Sequence, residues 1–216
     1  MNIKNAEGKY ITTKIGCLKI IKKLGKGKSG YSYLASNANK KYVIKFMHNE
    51  LCSYYSFGSE SKVKLELNAY NLLNKLKISI PKLYNINIKD NYLVKEYIDG
   101  ELITDSIVNN RLNDASLRQV FIISKKLKAS KINIDYFPDN FIYADKKLYY
   151  IDYECNPYDE EWNLENWGLY YWANSQGLSA YKKTHDDTFI NDKTNNGRPI
   201  KKGFDNIVNH WISQYQ

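Results

Sequence analysis

Three oxygen-bearing side chains stand at short intervals in the second half of the chain. Asp135 lies five residues before Asn140, and Asn140 lies twelve residues before Asp152. Carboxylate and amide oxygens are ligands that hard divalent cations such as Mg²⁺ prefer. Two of these groups can hold a cation while the remaining carboxylate accepts a proton from a substrate. The alternative is an ordinary hairpin that carries solvated acidic residues.

Short β-prone runs around these side chains predict how they are positioned. Residues 141–143 and 148–151 are rich in aromatic and β-branched side chains, and the turn-forming residues 144–147 join them. This layout predicts a loop, a strand, a tight turn and a second strand. Such a hairpin brings the three oxygen-bearing side chains out at one end.

A glycine-rich segment in the first half of the chain could contact phosphate groups. The β-prone run Cys17–Leu24 leads into Gly25, Gly27 and Gly30, and a second β-prone run, Tyr31–Ala35, follows. A strand after the glycines excludes the dinucleotide-binding fingerprint, which requires a helix there, and the spacing does not fit a P-loop. We therefore predict a hairpin whose backbone N–H groups can lie over phosphates. An ordinary hairpin is the alternative.

A lysine in the next predicted strand, residues 41–46, stands in a core-facing register. Lys45 alternates with a valine two residues before it, and alternate residues of a strand point to the same face. A core-facing lysine is unfavourable unless an anion pairs with it. The predicted helix 61–76 carries Glu66 beside its apolar stripe, and we predict Glu66 as the partner, with Glu60 as the second choice.

The remaining patterns predict two lobes. We assign residues 1–97 to an N-terminal lobe and residues 98–216 to a C-terminal lobe, because the pattern turns polar at the end of a predicted strand. Further elements are predicted by alternation or by helical periodicity. They are strands near 82–88 and 91–97, helices at 114–129 and 204–211, an aromatic core segment at 159–174 and a polar loop at 191–198.

The composition is that of a soluble globular protein, with 43% hydrophobic and 25% charged residues. The first residues lack the apolar core of a signal peptide, and no apolar run approaches the ~18 residues of a membrane span. A cytoplasmic location without a membrane partner is therefore expected. Cys17, Cys52 and Cys155 share no short spacing and the three histidines are dispersed, which argues against a zinc site.

Positive charge is concentrated in the first part of the chain. Residues 1–80 carry a formal charge of +11, whereas residues 81–216 carry −2. A basic segment attracts polyanions, either a nucleotide or a nucleic acid. The lysines form no compact run among aromatic residues, so a nucleic-acid partner is an alternative and not the favoured one.

Taken together, these features resemble those of the protein-kinase-like phosphotransferases over about residues 17–155. The matching features, in chain order, are the glycine segment 25–30, Val43-Ile44-Lys45, Glu66, the hinge Glu96-Tyr97-Ile98, the loop 135–140 and Ile151-Asp152-Tyr153-Glu154. The resemblance implies an α+β, two-lobed fold. Its N-terminal lobe would hold a small antiparallel sheet with one helix, and its C-terminal lobe would be reduced and mainly helical.

The resemblance also implies how a nucleotide is held. The glycine segment 25–30 would cover the phosphates of ATP, and Lys45 would bind the α- and β-phosphates while Glu66 holds the lysine in place. Backbone groups of Glu96 and Ile98 would form hydrogen bonds with adenine.

The catalytic roles implied by the resemblance fall on the three oxygen-bearing side chains. Asp135 would orient the acceptor hydroxyl and accept its proton, and Asn140 and Asp152 would hold Mg²⁺. We therefore expect an ATP- and Mg²⁺-dependent kinase that acts on a hydroxyl group.

Departures from the family pattern bear on the type of kinase. Asn133 and Ile134 stand where the family usually has His and then Arg or Gly, and Asp152-Tyr153-Glu154 replaces Asp-Phe-Gly. Only 62 residues follow Glu154. These features favour a small atypical Ser/Thr protein kinase of the RIO-like type. A small-molecule phosphotransferase of the aminoglycoside or choline type and a nucleotide-binding pseudokinase scaffold are the alternatives.

Overall fold

The chain folds as an α+β protein whose described residues divide into two units. The computed structural model describes residues 2–38, 40–50, 58 and 60–216. Unit 1 runs to Leu72 and includes Pro81–Ile98, and unit 2 consists of Leu73–Ile80 and Asp99–Gln216. The predicted α+β class is confirmed. Within the described ranges, no helix is both long enough and apolar enough to cross a membrane.

Unit 1 is built on one antiparallel sheet of six strands. Its elements are β1 (Tyr10–Thr13), β2 (Gly16–Lys26), β3 (Gly30–Asn37), β4 (Lys40–Met47), α1 (Lys62–Lys75), β5 (Leu83–Asn87) and β6 (Tyr92–Glu96). The order across the sheet is β1-β2-β3-β4-β6-β5. Every strand predicted in this region is present with small shifts at its ends, whereas β1 is not predicted from the sequence.

An aromatic and aliphatic core covers one face of this sheet. Because alternate residues of a strand share a face, the core takes every second residue of the central strands. The fully buried core residues on these strands are Leu18, Ile20, Tyr33, Ala35, Ile44 and Val94, and Ala6, which precedes β1, is fully buried in the same cluster. Strand β2 shifts its register against β3 between Ile20 and Lys22 and again between Lys23 and Gly25, so its glycine-rich end is irregular.

Unit 2 is mainly helical and contains three short pairs of strands. Its elements are β7 (Glu101–Leu102), α2 (Ile103–Val108), α3 (Asp114–Ala129), β8 (Ile132–Asn133), β9 (Phe141–Ala144), β10 (Lys147–Tyr150), β11 (Asn156–Pro157), α4 (Leu169–Ala173), α5 (Ser175–Thr184) and α6 (Asp205–Tyr215). Strands β10, β9 and β7 form one small sheet, and β11 pairs with β8. The predicted helices at 114–129 and 204–211 are confirmed as α3 and α6, whereas α2 and α5 are not predicted.

The aromatic segment of unit 2 forms core, as its helical spacing predicts. Tyr171 and Trp172 are almost fully buried. The buried face of α3 packs into the same cluster, and the helix begins after Asn113, whose Oδ1 accepts a hydrogen bond from the Ser116 N–H at 2.8 Å. Trp172 also donates a hydrogen bond to the loop that precedes β9, which carries Asp135 and Asn140.

Candidate active site

The β9–β10 hairpin positions the two predicted metal ligands. Its two-residue turn, Asp145-Lys146, has φ values of 48° and 63°, a combination that matches the right-handed twist of the flanking strands. The Ile151 N–H donates to the Asn140 carbonyl oxygen at 2.8 Å. Asn140, just before β9, and Asp152, just after β10, therefore emerge at the same end of the hairpin, as the sequence predicts.

Local hydrogen bonds hold the loop that carries Asp135. Its Oδ1 accepts a hydrogen bond from the Phe137 N–H at 2.9 Å, and its carbonyl oxygen accepts one from Asn140 Nδ2 at 3.2 Å. Because Asn140 Nδ2 donates this second bond, the amide oxygen is the side-chain atom of Asn140 that could act as a cation ligand. The buried indole N–H of Trp172 donates to the Tyr136 carbonyl oxygen at 2.9 Å and so holds the loop in place.

Acidic groups concentrate negative charge around Asp152. The Asp152 Oδ1 accepts a hydrogen bond from the N–H of the buried Tyr153 at 3.0 Å. Burial, and then the charge of Asp152, raises the pKa of Tyr150 well above its ordinary value, and Glu154 and Asp135 act in the same direction. The phenol of Tyr150 therefore stays protonated beside these carboxylates, and the local field favours a cation.

The residues at this end of the hairpin fit Mg²⁺. Asp152 supplies a carboxylate and Asn140 an amide oxygen, and Mg²⁺ commonly takes one or two protein oxygens and fills its other positions with water and phosphate oxygens. Over the described ranges, no group of three or more His, Cys, Asp or Glu side chains could hold a metal ion.

Asn133 anchors the segment that leads into the Asp135 loop. It lies on β8, is almost fully buried and donates its Nδ2 hydrogen to the Asp159 carbonyl oxygen at 2.7 Å. The asparagine that departs from the family pattern thus has a local structural role. It ties β8 to the chain that follows β11.

In unit 1, Lys45 and Glu66 form a buried ion pair. The Lys45 Nζ lies 2.5 Å from Glu66 Oε1, and each side chain is only 7% exposed. Lys45 stands in the middle of the sheet, opposite Ser32 on β3 and Leu93 on β6. The predicted pairing is present, and the second choice, Glu60, is exposed.

The predicted glycines differ in what surrounds them. The Gly27 N–H donates to the Gly30 carbonyl oxygen at 2.9 Å and closes a tight turn, residues 27–30, which we call the glycine turn. A Cβ at Gly30 would lie 2.5 Å from the Phe46 carbonyl oxygen, so only glycine fits there. At Gly25 and Gly27, no described atom lies within 4 Å of an added Cβ. Packing does not require glycine at these two positions, and the space beside their Cα atoms is open.

The predicted hinge residues end unit 1. The Glu96 N–H donates to the Lys82 carbonyl oxygen at 2.8 Å. Of the two backbone groups of Glu96, only the carbonyl oxygen could therefore form a hydrogen bond with a nucleotide base. Ile98 lies just beyond β6 and is buried. Its backbone N–H lies beyond the last paired residue of β6. One acceptor and one donor are the backbone groups that an adenine edge needs.

The structure brings the predicted residues together as two sets. Lys45 and Glu66 meet in unit 1. In unit 2, Asn140 and Asp152 lie at one end of the hairpin, and Asn140 Nδ2 donates a hydrogen bond to the carbonyl oxygen of Asp135. Sequence reasoning missed two residues of unit 1, one that contacts Glu66 and one that contacts the glycine turn. Ser29 donates to Glu66 Oε1 at 3.1 Å, and the His48 ring bonds the Gly27 carbonyl oxygen at 3.0 Å. The position of Ser29 inside the glycine segment is the one signal that could have revealed it.

The sequence matches no model of a known protein family, and a search of curated proteins finds no match. Any assignment of function therefore depends on the residues and contacts described above.

Proposed function

We propose that this chain is an ATP- and Mg²⁺-dependent phosphotransferase that transfers the γ-phosphate to a hydroxyl group, with a two-lobed protein-kinase-like arrangement. The buried ion pair between Lys45 and Glu66 is the observation that carries the proposal. Desolvating two charges is so unfavourable that an apolar pair of similar volume is often equally stable. A lysine kept in this position therefore points to a function for its charge, and phosphate oxygens are a suitable ligand.

The glycine turn supports the same proposal. Its neighbour Gly25 and its first residue Gly27 have open space around Cα, and backbone N–H groups in such turns bind phosphate oxygens. The formal charge of unit 1 supplies a further attraction for a triphosphate, because the sequence places most of the excess lysine there.

Phosphoryl transfer requires neutralisation of charge on the transferred group and an acceptor in line with the bond that breaks. In this proposal Lys45 binds the α- and β-phosphates, and Glu66 holds the ammonium in place. Asn140 and Asp152 hold Mg²⁺, which neutralises charge on the phosphate oxygens when bound. Asp135 orients the acceptor hydroxyl and accepts its proton. The hydrogen bonds that hold the Asp135 loop keep this carboxylate in a defined position.

A serine or threonine hydroxyl of a protein is the first acceptor class in this proposal, since Asp152-Tyr153-Glu154 is similar to the corresponding segment of the small atypical kinases. The same segment also resembles that of the aminoglycoside and choline phosphotransferases, so a small alcohol is the second acceptor class. We place the activity in the cytoplasm, where ATP is available.

Incubation with γ-labelled ATP and Mg²⁺, alone and with cell extract, tests the proposal. We expect Asp135→Asn and Asp152→Ala to lower turnover by about 10²–10⁴-fold. Asp145→Asn, at the exposed turn of the same hairpin, is the matched control and should keep native turnover.

The fate of the label distinguishes the acceptors. Label on large species indicates a protein kinase, and label on small metabolites indicates a small-molecule phosphotransferase. Tight Mg·ATP binding without any transfer would favour the pseudokinase scaffold. Turnover that is unchanged in both site variants would rule out the assigned roles.

A further inference from the structure

The glycine turn is attached to the residues that follow β4. The His48 N–H donates to the Ser29 carbonyl oxygen at 3.1 Å, and His48 Nε2 lies 3.0 Å from the Gly27 carbonyl oxygen. The Glu50 N–H donates to His48 Nδ1 at 3.2 Å, so the ring proton lies on Nε2 and is donated to Gly27. The buried histidine thus holds the turn at two carbonyl groups.

One carboxylate oxygen joins the glycine turn to the buried ion pair. The Ser29 Oγ donates to Glu66 Oε1 at 3.1 Å, and the same oxygen lies 2.5 Å from Lys45 Nζ. A carboxylate oxygen can accept both bonds. Ser29 is itself 8% exposed, so water has little access to this contact. Any displacement of the turn therefore disturbs the hydrogen bond from Ser29 to Glu66, the carboxylate that holds Lys45.

We propose that Ser29 is a positioning residue that acts through Glu66. It holds the glycine turn in a defined position relative to Lys45, so that the N–H groups of the turn and the lysine ammonium are presented to phosphate oxygens together. This inference deepens the nucleotide function proposed above and rests on it. A turn that is already ordered loses less conformational freedom when a ligand binds, and this strengthens binding.

Amide hydrogen exchange of the ligand-free protein tests the coupling without any nucleotide. The Gly27 and His48 N–H groups both donate to carbonyl oxygens of the glycine turn, so both report its opening. We expect Ser29→Ala to accelerate their exchange by about 10- to 100-fold, because the lost hydrogen bond had a charged acceptor. Ser29→Thr keeps the hydroxyl and should restore most of the protection. Ser36→Ala, on β3 of the same unit, should leave both amides unchanged.

Nucleotide titration separates positioning from a general loosening of unit 1. With Mg·ADP as the probe, we expect Ser29→Ala to raise the Kd about tenfold. The Kd of adenosine, which has no phosphates, should not change. Equal weakening of both ligands, or native exchange at Gly27 and His48, would overturn the inference. If the wild type binds neither ligand, the proposed function fails, and exchange at the two amides alone decides whether Ser29 couples the turn to the ion pair.

Discussion

Replacing the two members of the buried ion pair, singly and together, should separate what the pair does for stability from what it does for function. We expect Lys45→Met alone and Glu66→Leu alone each to lower the free energy of unfolding strongly. The double variant should unfold at nearly the native free energy. All three variants should lose ATP binding, because the ammonium is absent or no longer held.

The magnitude follows from the geometry of the pair. At 2.5 Å and an effective dielectric constant of about 20, the Coulomb attraction is roughly 6–7 kcal/mol. Both side chains are only 7% exposed, so desolvation offsets most of this attraction, and an apolar pair is expected to be about as stable. Removing one member leaves the other as a buried charge without its counter-ion. This lowers the free energy of unfolding by about 3–5 kcal/mol.

Urea unfolding followed by far-UV circular dichroism measures these free energies. All four tryptophans lie in unit 2, so tryptophan fluorescence follows that unit separately and shows whether the effect is confined to unit 1. Lys4→Met is the matched control, because it makes the same substitution at a lysine of unit 1 whose side chain is 62% exposed. We expect it to leave the urea midpoint close to that of the native chain.

Two results would refute this reasoning. One is a cost below about 1 kcal/mol for Lys45→Met, which would show that the charge is not desolvated in the folded chain. The other is a double variant no more stable than the weaker single variant, which would show that the two side chains do not interact.

Three further predictions concern positions outside the ion pair. Gly30→Ala should lower the free energy of unfolding by about 1–3 kcal/mol, because its Cβ would meet a backbone oxygen. Gly25→Ala should change it by no more than about 0.5 kcal/mol. Equal urea midpoints for the two variants would contradict this prediction. Lys146→Gly should raise the free energy of unfolding by about 0.5–1 kcal/mol, since glycine adopts a positive φ without strain. The thermal midpoint should rise accordingly, and a lowered midpoint would contradict this prediction. Burial raises the pKa of Cys155 to about 12, so its thiol stays protonated below that pH. Peptide mapping after alkylation at pH 8 should therefore find the partly buried Cys155 modified far more slowly than the exposed Cys17, and comparable rates would contradict the raised pKa.

Local patterns in the sequence predicted much of the fold and part of the candidate site. The alternation around residues 141–151 predicted the hairpin that carries Asn140 and Asp152, because strand period and turn residues are properties of neighbouring positions. The register of Lys45 and the stripe of the predicted helix identified Glu66, because a charge on a buried face needs a partner.

The elements that the sequence did not predict have weak patterns. Helix α2 has six residues, of which Ile103, Thr104, Ser106 and Ile107 are buried, so it shows no contrast between an apolar and a polar face. Helix α5 is rich in Ser, Gln and Lys and has few apolar positions to mark its buried side. Both helices form because their surroundings in unit 2 cover them, and propensity alone is too weak to indicate this.

The sequence by itself determined which residues are strand, turn or long helix and which charged side chains stand on buried faces, because those properties repeat over a few neighbouring positions. Only the tertiary structure decided that Ser29 and Lys45 donate to one oxygen of Glu66 and that His48 holds the glycine turn. Ser29 and Glu66 are 37 residues apart, and their contact depends on how α1 packs against the sheet. Packing of this kind leaves no periodic trace in the chain, since it is a property of side-chain geometry between elements and not of the pattern within either one.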